Sequence, residues 1–251
     1  RDRSPSRGLG DVYKRQPVIH ADETHVLVRK DGREAGSKSY MWVYRTGEKE
    51  KKAVILYEYQ KTRKADHPER FLKDYKGICV TDGYQVYHKL GEEKEGLTLA
   101  GCWAHARRRY DEAVKALPSK SRKSSIAWQA LEQIQMIYHV DNTLKELKPE
   151  ERKKRRQSSV KPLVEAYFAW VKEKKADGRI SEKSKAGRGL SYSINQEKYL
   201  KVFLEDGNVP MDNNAAERAI KNFCIGRKNW LIIDTIPVSY THLTLPTKLE
   251  V

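Results

Sequence analysis

Three segments rich in Val, Ile, Tyr and Trp follow one another early in the chain and constrain its fold more than any other feature. They are "VIHADETHVLV" (18–28), "SYMWVYRTG" (39–47) and "KAVILYEYQ" (52–60), and the turn-forming "KDGREAGSK" and "TGEKEKK" separate them. β-branched and aromatic residues between turn-rich segments are typical of strands joined by short connections. A three-stranded antiparallel meander is therefore predicted over residues 18–60.

The next segments add a helix, a fourth strand and then helices alone. "HPERFLKDY" (67–75) has its apolar residues at helical spacing, and "GICVTDGY" (77–84) is a short apolar run that ends in a turn. The order βββαβ predicts a mixed sheet with the fourth strand beside the first, which is an α/β fold. Apolar spacing of three and four residues then predicts helices over 102–117, 124–140, 160–175 and 194–206. Ser124 or Ser125 is the expected N-cap of the second of these helices.

Two of these helices carry apolar stripes that must be buried. The stripes consist of Ala127, Leu131, Ile134 and Tyr138, and of Leu163, Tyr167, Trp170 and Val171. We expect the helices to pack mainly with one another as a subdomain, with Trp170 buried and worth about 3–5 kcal/mol. The charge run "KPEERKKRRQSS" (148–159) between them is interpreted as a solvated helix face or a loop.

The charge of the chain indicates the class of its partner. Lys and Arg number 50 against 34 Asp and Glu, which gives +16 over 251 residues and favours a polyanion, nucleic acid before membrane. No apolar run reaches the roughly 18 residues that a membrane span needs. The chain has three scattered cysteines with no CxxC pair, Cys79, Cys102 and Cys224. We therefore expect a reducing cytoplasm and no disulfide framework.

Both ends of the chain resemble translated sequencing-adapter sequence and are set aside as non-native flanks. They are "RDRSPSRGLGDVYKRQ" (1–16) and "PVSYTHLTLPTKLEV" (237–251). The first carries a net +3 and the second no net charge, so +16 falls to +13 for residues 17–236. The preference for a polyanion therefore does not depend on the flanks.

Three acidic residues have ordinary explanations one by one. Asp22 lies within a strand and is expected on the face opposite Glu23, Asp82 lies in a turn dipeptide, and Glu217 stands three residues after Asn214, as in a capping box. Together, however, a carboxylate on the first strand, one after the fourth strand and one on a later helix can converge above one sheet. Three such oxygen ligands suit Mg²⁺ or Mn²⁺.

Four motifs, in this order, resemble the catalytic domain of bacterial insertion sequence 66 family transposases. They are "HADET", "TDGY", "GCWAHARRRY" and "DNNAAERAIKNFCIGRKNWL", and the resemblance spans residues 17–236. It implies a ribonuclease H-like fold with an Asp-Asp-Glu triad, here Asp22, Asp82 and Glu217, as catalytic residues and metal ligands. It also implies a large α-helical insertion, about 102–200, between the second Asp and the Glu.

The resemblance implies a DNA transposase that cleaves strands at the ends of its element and joins them to target DNA. Two alternatives stay open: a ribonuclease H-like nuclease without strand transfer, and a basic nucleic-acid-binding module whose acids are structural. Family members usually begin with a zinc-binding recognition region, which we expect to lie outside this chain. A bacterial cytoplasmic location and no membrane partner are expected, and assembly into a homo-oligomer is left open.

Basic residues near the motif acids are the expected DNA contacts, because cations bind backbone phosphates. They are Arg107, Arg108, Arg218, Lys221, Arg227 and Lys228. The "RKKRR" run (152–156) is a further candidate, which we expect to be exposed to DNA. Cys102 and His105 of "CWAH" form only half of a zinc site and are expected to shape the active site instead.

Overall fold

We describe the protein from a computed structural model, which covers residues 13–34, 36–47, 54–230 and 233–235. For residues 222 and 226–230 the description extends to the backbone only. The chain divides into two compact units, one formed by residues 1–98 and 213–251 and the other by Leu99–Asp212. Each unit is described by itself.

The strands and the first two helices alternate along the first part of the chain. They are β1 (Val18–Lys30), β2 (Lys38–Thr46), β3 (Ile55–Gln60), α1 (Asp66–Leu72), β4 (Gly77–Val80), α2 (Gln85–Glu93) and β5 (Leu97–Ala100). A last strand, β6 (Ile233–Thr235), lies near the end of the described chain. The strand order is β3-β2-β1-β4-β5, with β6 also paired to β1.

The middle of the chain is helical. Its elements are α3 (Trp103–Lys115), α4 (Ser119–Arg122), α5 (Ile126–Thr143), α6 (Pro149–Arg155), a π-helical turn (Arg156–Val160), α7 (Lys161–Ala176), α8 (Lys185–Leu200) and a 3₁₀ turn (Val202–Leu204). The helix α9 (Asn214–Trp230) then returns to the first unit. The mixed α/β fold is therefore confirmed.

The pairing of β1 with its neighbours confirms the predicted sheet. β1 is antiparallel to β2, where Asp22 lies opposite Val43, and β2 is antiparallel to β3. β1 is parallel to β4, in a register that aligns His20 with Val80. The meander and the fourth strand beside the first are both as predicted.

The two faces of β1 contact different helices because its side chains alternate. On one face Val26 and Val28 pack with Phe223 of α9. On the other face the phenol of Tyr87, from α2, donates to Glu23 Oε2 at 3.3 Å. The residue Asp22 therefore faces α9 and Glu23 faces away from it, as the alternation predicted.

The helical unit has an aromatic core. Trp103, Tyr110, Tyr167 and Phe168 are each at most 1% exposed. The polar atoms of this core are satisfied, since Trp103 Nε1 donates to the carbonyl of residue 200 at 2.8 Å and Tyr167 hydrogen-bonds the hydroxyl of residue 193 at 2.8 Å. Burying a tyrosine or tryptophan is favourable only when its donor finds such an acceptor.

Helix boundaries agree with the sequence in three of the four predicted segments. α5 begins after Ser125, whose hydroxyl accepts the Trp128 amide at 3.2 Å, so Ser125 and not Ser124 is the N-cap. The segment predicted over 194–206 was wrong, because α8 begins nine residues earlier at Lys185 and ends at Leu200. Two glycines in its first turns lower the helix propensity of this segment, so the sequence did not indicate a helix there. One of them, Gly189, leaves room for the ring of Tyr110.

The interpretation of the charge run between α5 and α7 as a solvated helix face was right only in part. It is helical, and Arg152 and Arg156 are buried, at 7% and 1% exposure, so these two are not exposed to DNA as expected. Arg156 binds both carboxylate oxygens of Asp141, through Nε at 2.7 Å and Nη2 at 3.1 Å. Arg152 donates to main-chain carbonyls, including that of Gly207 at 3.0 Å. Both side chains therefore hold the helical unit together.

The predicted stripes are buried only in part. Trp170 is half-buried and stacks on Tyr167 with ring centroids 6.5 Å apart, whereas the neighbouring Phe168 is 1% exposed. The expected loss of 3–5 kcal/mol at Trp170 belongs to a fully buried ring and is too large. The buried face of α7 is rotated toward Val164 and Phe168.

Among the described residues, none of the helices combines the length and the apolar character that crossing a bilayer requires.

Candidate active site

The first acid, Asp22, lies in the middle of the longest strand, on the face that α9 covers. Its neighbours two residues away on this face both contact α9: His20 Nδ1 lies 2.8 Å from Asn213 Oδ1, and Thr24 Oγ1 lies 3.6 Å from Cys224 Sγ. Asp22 Oδ1 accepts the backbone amide of Glu23 at 2.8 Å. Period-two alternation thus places one carboxylate under the helix that carries Glu217.

The second acid, Asp82, follows β4. Because the parallel register aligns His20 with Val80, Asp22 and Asp82 each lie two residues beyond an aligned pair. Neighbouring strands are about 4.8 Å apart, so the two segments bring the aspartates to the same level of the sheet. Asp82 Oδ1 accepts the amide of Tyr84 at 3.1 Å, which fixes the carboxylate in the turn before α2.

The third acid, Glu217, lies in the first turn of α9. The helix is held on β1 by Asn213, whose Nδ2 donates to the carbonyl of Ala21 at 2.8 Å. Its Oδ1 is therefore left to accept, and the neutral ring of His20 donates from Nδ1. Burial, with smaller effects of nearby arginines, lowers the pKa of His20 to about 4, so the ring is neutral at neutral pH.

The capping-box explanation of Glu217 was wrong in register. The Glu217 amide donates to the carbonyl of Asn213 at 3.1 Å, and the helix begins at Asn214. The N-cap is therefore Asn213 and not Asn214, and its side chain donates to β1. A role for Glu217 beyond capping is consistent with this position.

Neighbouring acids change the pKa of Asp22. The pKa of Asp22 is raised to about 8, first by burial, then by the charges of Glu23 and Asp82, and also by that of Glu217, against the hydrogen bond from the Glu23 amide. Like charges act in this way only at short range. Asp82 and Glu217 therefore lie near enough to Asp22 for their charges to raise its pKa, and the triad itself stays a prediction.

A carboxylate whose pKa is raised by neighbouring acids is stabilised by a divalent cation, which offsets their charges. Carboxylate oxygens are the ligands that Mg²⁺ and Mn²⁺ prefer, and the three acids come from β1, the turn after β4 and the first turn of α9. The donor chemistry of Asp22, Asp82 and Glu217 thus fits such an ion.

The basic residues expected to contact DNA have different surroundings. Arg218 and Lys221 are exposed on α9, in the same unit as the triad. Arg218 lies close enough to the half-buried Arg45 to lower its pKa, after the larger effect of burial. Arg45 was missed from the sequence; its Nη1 donates to the carbonyl of Ala215 at 3.0 Å. Positive charge therefore accumulates at the start of α9.

The remaining predicted residues belong to the helical unit or have side chains outside the described residues. Arg107 and Arg108 are exposed on α3 of the helical unit. Cys102 is buried as the N-cap of α3, and the amide of His105 donates to its carbonyl at 3.2 Å. Their role in shaping the active site stays a prediction. The side chains of Arg227 and Lys228 lie outside the described residues.

Sequence reasoning also missed a cluster on the opposite face of β1. The buried carboxylate of Glu23 is paired with Arg63, and the guanidinium of Arg63 lies 3.7 Å from the ring centroid of Tyr84. Alternation places Glu23 on that face, but Arg63 lies in the loop after β3, where no periodic pattern could have selected it.

Comparison with curated proteins finds relatives in Sinorhizobium fredii (strain NBRC 101917 / NGR234). The chain is 29% identical over 244 residues to "Uncharacterized protein y4qI", and the aligned region covers 92% of the chain and 44% of the relative. It is 27% identical over 226 residues to "Uncharacterized protein y4hP", covering 84% of the chain and 40% of the relative. The chain thus spans less than half the length of these relatives.

A family model covers almost the whole chain. It is described as "Transposase IS66 family" and matches residues 7–237. The match begins inside the amino-terminal flank, where Tyr13 is buried and its hydroxyl donates to the carbonyl of Phe71 at 2.7 Å; the boundary at residue 17 stays a prediction. The matched range includes Asp22, Asp82 and Glu217, and the chain belongs to the IS66 family of transposases.

Proposed function

We propose that this chain carries the catalytic domain of a DNA transposase, which cleaves DNA strands at the ends of an insertion sequence and joins them to target DNA. The observation that carries the proposal is the position of the three acids: Asp22 on β1, Asp82 after the parallel strand β4 and Glu217 in the first turn of α9. The charges of Asp82 and Glu217 also raise the pKa of Asp22. Family membership supports the same reaction class. The acids would hold Mg²⁺ or Mn²⁺.

The core that supports this chemistry is proposed to be ribonuclease H-like. Support comes from the antiparallel meander β1–β2–β3 with β4 parallel to β1. In this arrangement Asp22 comes from the central strand, Asp82 from the end of its parallel neighbour and Glu217 from the helix that crosses the sheet. Elements with fixed hydrogen bonds can hold three carboxylates in position better than loops can.

Each acid would act as a metal ligand. A divalent cation held there would supply the charge that activates a water or a 3′-hydroxyl and would stabilise the oxygen that leaves the phosphodiester. Asp22 and Asp82 would hold this charge from the sheet, and Glu217 would complete the site from α9. The amides of Glu23 and Tyr84 keep the two aspartates oriented before DNA arrives.

Basic residues would bring the phosphate backbone to the acids. Arg218 and Lys221 are exposed one and four residues after Glu217, so they are suited to bind phosphates next to the scissile bond. Arg107 and Arg108 on α3 are further candidates. Contacts of this kind supply affinity without sequence choice.

The test uses a supercoiled plasmid with the element's ends, Mg²⁺ and the chain with its acids substituted. Asp22→Asn, Asp82→Asn and Glu217→Gln should each reduce nicking and strand transfer at least about 100-fold while metal-free DNA binding changes less than twofold, because each removes a ligand and not a phosphate contact. Asp74→Asn is the matched control, since Asp74 forms an exposed pair with Lys14 on the same unit.

Two results would contradict the proposal. Full nicking by any of the three triad variants would remove that residue from the site. Nicking without joined product, when a 3′-hydroxyl end and target DNA are supplied, would identify a ribonuclease H-like nuclease instead.

A further inference from the structure

Next to Asp22 on β1 lies a second buried carboxylate, which faces the other side of the sheet. The side chain of Glu23 is 1% exposed and lies opposite Trp42 in the β1–β2 pairing. Arg63 Nε donates to Glu23 Oε1 at 2.8 Å, and a second guanidinium nitrogen donates to the same oxygen. Tyr87 donates to the other carboxylate oxygen. Glu23 is therefore a fixed attachment point for Arg63 on β1.

The guanidinium of Arg63 also holds the turn after β4. It lies over the ring of Tyr84, with its central carbon 3.7 Å from the centroid, and the Tyr84 hydroxyl donates back to the carbonyl of Arg63 at 3.0 Å. A planar guanidinium can stack and form a forked ion pair at the same time, which a lysine cannot. Arg63 thus joins β1 to the turn that ends at Tyr84.

The contacts of Arg63 with Glu23 and Tyr84 form a bridge between two residues that each bind a triad aspartate through a backbone amide. The amide of Glu23 donates to Asp22 Oδ1 at 2.8 Å, and the amide of Tyr84 donates to Asp82 Oδ1 at 3.1 Å. The pairing of β1 with β4 covers Val18–His20 and ends before either aspartate. Beyond the end of this pairing, the side chains of Glu23, Arg63 and Tyr84 therefore connect the two segments that carry the aspartates.

We propose that Arg63 is a positioning residue for the metal site, because it fixes the segment of Asp82 against the strand of Asp22 through Tyr84 and Glu23. The inference rests on the proposed function of the triad. Arg63 lies on the face opposite α9, so it acts on the spacing of the two aspartates and not on the reacting atoms.

Mn²⁺ binding to the full 251-residue chain, followed by electron paramagnetic resonance of the free ion without DNA, tests the proposal. Arg63→Gln should weaken Mn²⁺ binding about tenfold or more, the usual effect of losing a partner that orients a metal ligand. Arg63→Lys should restore little of it, because lysine keeps the charge but cannot stack and fork together. Arg70→Gln is the control, since Arg70 pairs with Glu58 at 2.8 Å in the same unit.

A second variant guards against misfolding. Tyr84→Leu leaves the buried Glu23 paired and removes the link to the Asp82 turn, together with an edge-on ring contact with Tyr87. It should also weaken Mn²⁺ binding while the circular dichroism spectrum and Tm match those of Arg70→Gln. Wild-type Mn²⁺ affinity in Tyr84→Leu would overturn the proposal, because Arg63 would then act through folding alone.

Parallel measurements separate this inference from the proposed function. If Asp22→Asn loses Mn²⁺ binding but Arg63→Gln stays within twofold of wild type, the bridge is refuted and the triad stands. If Arg63→Gln weakens only metal-free DNA binding, Arg63 is a phosphate contact and the inference is also refuted. If Asp22→Asn binds Mn²⁺ as wild type does, both proposals fail.

Discussion

The buried arginine of the helical unit, Arg156, allows the energetics of the structure to be tested directly. Its guanidinium pairs with Asp141 and also donates to three main-chain carbonyls, those of Phe203, Asp206 and Val209, at 2.7–3.1 Å. Removing one partner of a buried ion pair costs about 3–5 kcal/mol, since the other charge stays buried. Arg156→Met should therefore lower the free energy of unfolding by about that amount, and Tm by roughly 6–20 °C for a chain of this length.

The neighbouring arginine is a matched control. Arg155 is 63% exposed and lies 3.9 Å from Glu151, so Arg155→Met should cost less than about 1 kcal/mol. The double variant Arg156→Met with Asp141→Leu removes both charges and should recover part of the loss, leaving the cost of the unpaired carbonyls, about 1–3 kcal/mol each at most.

Urea unfolding followed by circular dichroism, with amide hydrogen exchange in α5 and α7 to locate the change, measures these differences. Equal losses for Arg155→Met and Arg156→Met would refute the assignment of the ion pair. A double variant as unstable as the sum of its single variants would show that the two charges do not interact.

The sheet could be predicted from the sequence because its physics is local. Turn-rich segments bound the strands, and period-two alternation in β1 correctly placed Asp22 and Glu23 on opposite faces. α8 could not be located, since Gly187 and Gly189 lower helix propensity and their fit depends on tertiary neighbours.

The buried arginines had a signal that composition concealed. Arg152 and Arg156 are four residues apart, which places them on one face of a helix, while the intervening Lys153, Lys154 and Arg155 are exposed. Composition alone predicts that such a charge run is exposed to solvent, although Arg152 and Arg156 are buried.

Only those residues of the candidate site that belong to sequence motifs could be predicted. The three acids could be selected from motif and resemblance, but the connection of Asn213 to His20 and that of Arg63 to Glu23 join residues 193 and 40 positions apart. Such pairs depend on which faces of distant elements meet, and a single sequence carries no periodic signal for that.

Two further predictions concern the surface charge and the core of the helical unit. Non-specific duplex binding should weaken linearly in log K against log salt because Lys and Arg displace counterions, and binding unchanged between about 50 and 200 mM salt would contradict a phosphate-binding role. Trp170→Ala should lower the free energy of unfolding by only about 1–2 kcal/mol, because the half-buried ring loses its stacking on Tyr167 but leaves little cavity. Phe168 lies two residues before Trp170 and is 1% exposed, so Phe168→Ala is the matched comparison. It should lower the free energy of unfolding by about 3–5 kcal/mol. Urea unfolding of both variants decides the matter: a loss at Trp170 equal to or larger than that at Phe168 would mean that the buried face of α7 is the one centred on Trp170, and the packing described for α7 would be wrong.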